Sequence, residues 1–143
     1  MHSECENIIA YTSSLEDVCA EMLDGGFFID WLNPPSPLAH LRILQGSYLV
    51  WLAIDTKANN VVGFINAISD GVLSAYIPLL EVLPDYQNKG IGSELVFRML
   101  DSLKHLYMVD VLCDPHLQKY YAKFGMHDAT GSILRNYERQ SCE

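Results

Sequence analysis

The stretch from Leu80 to Ser93 constrains this chain more than any other part of it. An apolar run from Ala75 to Leu83 stops at Pro84, a short polar loop follows, and Gly90 and Gly92 lead into an amphipathic run from Gly92 to Leu103, with Leu95, Val96, Met99, Leu100 and Leu103 on one face. A strand, a glycine-punctuated turn and a helix follow one another with almost no linker. Glycine allows main-chain conformations closed to other residues. The helix start adds unpaired N–H groups and the positive end of a dipole, which together suit a pyrophosphate, and Lys89 supplies a full charge. Two better-known phosphate loops are excluded: Leu95 stands where the third glycine of GxGxxG would be, and no GK[ST] ending is present.

The remaining chain predicts a mixed α+β layout. A strand is expected at Ile8 to Tyr11, then a helix from Ser14 with Leu15, Val18, Cys19, Met22 and Leu23 on one face, a Ser13/Glu16 capping box, and Gly25-Gly26 as its stop. The prolines of Asn33 to Pro37 fix a loop, and Leu38 to Leu44 reads as a second short helix. Tyr48 to Asp55 and Val61 to Ser69 form a hairpin, and Asp70-Gly71 turns the chain into the strand Ala75 to Leu83. Pro78 cannot donate to a ladder and predicts a bulge there. Met108 to Cys113 is another strand; Asp114 and Pro115 then cap a helix carrying Leu117, Tyr120, Tyr121 and Phe124 before Gly125. A last apolar strand is expected at Ala129 to Asn136, free either to finish the sheet or to pair with a second copy in a homodimer.

Length and composition fit one domain over residues 1–143, half of them hydrophobic and 19% charged, which excludes disorder from low hydrophobicity. No apolar run approaches the ~20 residues of a bilayer helix, so no membrane partner is expected. The net charge of −9 argues against nucleic acid. That charge is unevenly placed: residues 1–85 hold eleven acids and two bases, and residues 86–143 hold seven of each. Four cysteines without paired spacing point to free thiols and a cytoplasmic setting, and Cys113 with His116 lacks the second ligand pair of a zinc site, so no metal is expected. His40, His105, His116 and His127 read as surface or helix-end residues.

The central segment resembles the GNAT superfamily of N-acetyltransferases. Its acetyl-CoA motif is matched by Val82-Leu83-Pro84 followed by Gln87-Asn88-Lys89-Gly90-Ile91-Gly92, and a second element, a Tyr four residues before a Gly, by Tyr121 to Gly125. The chain departs from the family pattern at Met126, where an aromatic is usual, and at Asp114, where Asn is common. The resemblance implies a single mixed, mostly antiparallel sheet flanked by helices, with one central strand pair splayed apart. It implies acetyl-CoA as co-substrate, its pantetheine arm paired with main-chain groups of Val82 and Leu83 and reached by Asp114, and its pyrophosphate on the amides of Asn88, Lys89, Gly90, Ile91, Gly92 and Ser93, with Gln87 opening the loop.

Direct transfer to a primary amine needs a base, because an alkylammonium with pKa near ~10.4 is charged at neutral pH. Glu81, a carboxylate in an apolar strand, is the candidate; the same residue also reads as a solvated side chain at a splayed edge. Tyr121, by its motif position, is the candidate acid for the departing thiolate, although aromatics at helical spacing also serve as plain core. The acidic first half suits a cationic acceptor, a small amine or polyamine, with Asp70 and the aromatics Phe27, Phe28, Trp31 and Tyr76 as pocket candidates. A protein lysine or N-terminus is the alternative acceptor, and a non-catalytic acyl-CoA-binding module the alternative function.

Overall fold

A computed structural model describes residues 8–143. Five strands, β1 (Ile9–Thr12), β2 (Leu49–Asp55), β3 (Asn60–Ser69), β4 (Ser74–Val82) and β5 (Met108–Val111), form one sheet in sequence order. The first four are antiparallel neighbours, β2 to β4 joined by short turns and β1 to β2 by the long segment 13–48, while β5 lies parallel to β4 after a helical crossover. The helices are α1 (Pro37–Gln45), α2 (Ile91–Ser102) and the short α3 (Gln118–Ala122).

Both faces of the central strands are buried, so β3 reads as a nearly continuous apolar run. On one face, α2 buries Ile91, Leu95, Val96 and Met99. It comes so close to β3 that a Cβ on Gly63 would lie 3.1 Å from Leu95 and 3.3 Å from Ile91. On the other face, α1 and the loop before it bring His40, Phe27 and Phe28 against Phe64, with ring centroids 4.4–6.0 Å apart. Ser36 caps α1 by accepting the Ala39 N–H, and Pro37 stands at its first position.

Four expectations are corrected. His40, read as a surface or helix-end residue, is buried within α1 against the core aromatics. No helix or capping box begins at Ser14: Thr12 Oγ1 accepts the Ser14 N–H and Ser14 Oγ accepts the Glu16 N–H, so side-chain oxygens take amides a helix would need, and only a 3-10 turn forms at Ala20–Leu23. The Asp114 side chain makes no capping bond; its carbonyl accepts the Leu117 N–H instead. Ala129 to Asn136 forms no strand and is exposed throughout, so the sheet ends at β5. Among the described residues no helix is long and apolar enough to cross a membrane.

Candidate active site

The sheet opens at Pro78. Strand β4 pairs with β5 only from Ser74 to Ile77, against Met108 to Val111. At that point the β3 register slips from Asn66 opposite Leu79 to Ile68 opposite Tyr76, which leaves one extra residue on β4, the bulge that a proline without an N–H favours. Beyond it, Leu79 to Val82 stay paired with β3 and lose β5. The result is a cleft of about 1620 Å³ whose walls include Leu79, Leu80, Val111, Asp114 and Tyr121.

Main-chain direction decides which groups face that gap. Leu83 donates its N–H to the Val62 carbonyl at 2.8 Å, and its own carbonyl accepts the Tyr86 N–H at 2.9 Å. Leu83 is therefore spent inside the protein, against its expected pairing with a ligand. Since donors alternate sides along a strand, the main chains of Leu80 and Val82 turn the other way, toward the missing neighbour. Gln87 closes one of these positions: its Nε2 donates to the Val82 carbonyl at 2.9 Å. The Val82 N–H and the Leu80 groups remain.

At the top of β4 the loop enters α2 through two left-handed residues, Asn88 (φ 61°) and Gly90 (φ 83°). The first helical bond is Glu94 N–H to the Gly90 carbonyl, so the amides of Ile91, Gly92 and Ser93 have no partner within the helix. Tyr86 anchors the loop by donating its hydroxyl to Asp55 at 2.6 Å, which holds the Asp55 carboxyl below its usual range. Lys89 Nζ stands 5.7 Å from the Tyr86 ring centroid. Tyr120 reaches the same helix start, 3.3 Å from Ser93 Oγ, and a Cβ on Gly92 would meet Tyr120 and Val82 only at ordinary distances of 3.6 and 3.7 Å. A wide gap with unpaired strand groups at one side and unpaired helix amides at its top fits an extended pantetheine-pyrophosphate group.

Tyr121 lines the cleft, and burial pushes its hydroxyl up to about 12, with Cys113 and Tyr120 adding to the shift. Glu81 stands opposite Phe64 on the α1 face. Both its oxygens accept the Phe28 N–H, at 2.6 and 2.8 Å, and Phe28 takes a left-handed conformation (φ 61°) to present it. Burial raises the Glu81 pKa, against the lowering effect of the Phe28 and Ile29 amides. Glu81 is not itself part of the cleft wall.

Of the expected acceptor residues, Trp31 and Tyr76 line the cleft. Phe27 and Phe28 are buried in the core instead. Asp70 sits at the far end of β4, roughly 20 Å along the strand from Glu81. Its Oδ1 accepts the N–H groups of Val72, Leu73 and Ser74, so it closes a turn and does not reach the cleft. No acid from residues 8–85 lines the cleft; the carboxylates that do are Asp110, Asp114 and Asp128, facing a single guanidinium, Arg135. Sequence reading missed the Phe28 amide, the Tyr86–Asp55 anchor and the Gln87 bond to Val82. None has a local signal, since each joins residues distant in the chain or depends on a strand's exposed side.

The model of the acetyltransferase (GNAT) family matches residues 16–126. The chain is similar to a candidate acetyltransferase from Deinococcus radiodurans, whose crystal structure is 42% identical with a TM-score of 0.89, covering 93% of this chain and 92% of that one. It is also similar to a GNAT-family acetyltransferase from Streptococcus pneumoniae, 30% identical with a TM-score of 0.68, over 90% of this chain and 98% of that one. A curated relative, an uncharacterized N-acetyltransferase of Pyropia yezoensis, is 25% identical over 126 residues, which span 86% of this chain and 67% of the relative.

Proposed function

The chain belongs to the acetyltransferase (GNAT) family, a family of acyltransferases that use acetyl-CoA and amine acceptors, and from that premise we propose that residues 1–143 act as one domain that acetylates a small, cationic primary amine. The observation that carries this reading is the parting of β4 from β5 at Pro78, between the free amides of α2 and the Tyr121 hydroxyl. Acetyl-CoA supplies the acetyl thioester. The amides of Ile91, Gly92 and Ser93 hold its pyrophosphate, assisted by Lys89 and by the left-handed turns at Asn88 and Gly90. Leu80 and Val82 bind the pantetheine amides in place of a strand, with Asp114 beside them. One of the two strand N–H groups that face the gap, Leu80 or Val82, then polarises the acetyl carbonyl oxygen.

The amine arrives as an ammonium, and removing its proton at neutral pH costs roughly 4–5 kcal/mol. Glu81 takes that proton through a water, because its carboxylate is turned against the Phe28 amide and stands behind the cleft wall. Tyr121 keeps its hydroxyl proton well into the alkaline range and gives it to the departing sulfur. Three cleft carboxylates against one guanidinium support the cationic acceptor, with Tyr76 and Trp31 as its apolar contacts. A cytoplasmic setting is supported by Cys19, Cys113 and Cys142, which are free thiols.

Thiol release from acetyl-CoA, followed over a panel of small amines, polyamines and lysine peptides, tests the reading. Turnover on at least one small amine is expected, falling more than about tenfold in Tyr121→Phe, which keeps the ring and loses only the hydroxyl. Tight acetyl-CoA binding with no turnover on any amine would make the chain a binding module. Turnover in Tyr121→Phe within about twofold of the parent would remove the acid role.

A further inference from the structure

A second hollow, of about 330 Å³, opens beside the cleft and shares Trp31 and Arg135 with it. Its other walls are Asn136, Tyr137, Arg139 and Gln140. The hollow is held together across the molecule: Tyr137–Arg139 forms a 3-10 turn, and the Asn33 N–H donates to Gln140 Oε1 at 2.8 Å, which ties the C-terminal segment to the loop carrying Trp31.

Charge changes sign between the two spaces. The cleft presents Asp110, Asp114 and Asp128, whereas no carboxylate lines the hollow. Neither of its arginines has an acidic partner: among the described residues the ion pairs are Arg98 with Glu94 and Lys104 with Asp101. What sets Arg135 and Arg139 apart from the other unpaired bases is that both line one small hollow. Two arginines in one hollow, with Asn136 and Gln140 beside them, supply the planar N–H donors that suit a carboxylate or phosphate, although one Arg135 nitrogen also donates to the Leu134 carbonyl at 3.3 Å. Trp31 and Tyr137 add apolar surface for the carbon skeleton between the ends.

Building on the acetyl transfer proposed above, we infer that this hollow is an oxyanion subsite of the acceptor. The acceptor is then an amine that also carries a carboxylate or phosphate, its ammonium in the acidic cleft and its oxyanion between Arg135 and Arg139.

Calorimetric titration of the full chain with two matched pairs tests the subsite without needing turnover: γ-aminobutyrate against γ-aminobutyramide, and phosphoethanolamine against ethanolamine. In at least one pair the member that carries the oxyanion is expected to bind about fivefold or more tightly than the analogue that lacks it, with the advantage shrinking as salt rises. Arg135→Gln and Arg139→Gln are each expected to cut that advantage below about twofold. The pair with the larger advantage identifies the oxyanion. Equal affinity within both pairs, or an advantage kept in both variants, overturns the subsite. Thiol release with the same four amines is read separately: its absence counts against acetyl transfer, while the titrations still decide the subsite.

Discussion

Glu81 is held by a backbone that has to be bent to hold it. Phe28 adopts a left-handed conformation that costs a non-glycine residue roughly 1–2 kcal/mol, and what this provides is one N–H shared by both carboxylate oxygens. Burial disfavours the charged carboxylate and the amides restore part of that loss, leaving the pKa above the ordinary glutamate value. A base works only when deprotonated. With Glu81 in that role, kcat falls on the acid side as pH drops through this raised pKa. Glu81→Gln is then expected to lower kcat by about 10²-fold or more above that pKa, to differ less from the parent below it, and to lose the acid limb. A pH–rate profile with the same acid limb in parent and variant would take Glu81 out of the proton path.

At the scale of elements, the turn into α2 depends on Gly90 in a different way from its neighbour Gly92. A Cβ on Gly90 meets nothing within 4 Å, so Gly90→Ala adds no clash, and its whole cost comes from φ 83°, about 1 kcal/mol. That cost is relieved by rotating the amides at the helix start, so the KM for acetyl-CoA is expected to rise several-fold while kcat holds. Steady-state kinetics with acetyl-CoA varied at saturating amine checks this, and a KM within about 1.5-fold of the parent would separate the turn from cofactor binding. This turn was legible in the sequence because its determinants are local: β-branched residues, a proline stop, two glycines and an apolar stripe. The Pro78 bulge was legible for the same reason. The stretches from Ser14 and from Ala129 were misread because their patterns were only permissive. Thr12 and Ser14 hydroxyls won the amides of the first, and the second has no strand beside it, a condition no local pattern encodes. Asp70 was misread similarly, as three amides two to four residues ahead already occupied its carboxylate.

The whole molecule closes over a titratable side chain that gains nothing from charge. His40 is 1% exposed, neither ring nitrogen has a hydrogen-bond partner among the described residues, and the rings of Phe27, Phe28 and Phe64 surround it. Burial pushes its pKa down from 6.5 to about 4. Between those values the unfolded chain binds a proton that the folded chain refuses, so stability falls as pH drops through the window and levels off below about 4. The full loss is on the order of 3 kcal/mol. The lowered carboxyl groups of Asp55 and Asp70 act in the same direction but below the ordinary carboxylate pKa, so their effect begins where that of His40 ends. Because His40 joins α1 and the preceding loop to β3, the loss is expected in the global unfolding transition and not in one fraying segment. Urea midpoints measured from pH 7 to pH 4 should therefore decline in the parent and stay nearly flat in His40→Leu. Comparing the two cancels the general effect of titrating a chain of net charge −9. Parallel declines would mean that His40 is already charged, or already partnered, in the folded protein.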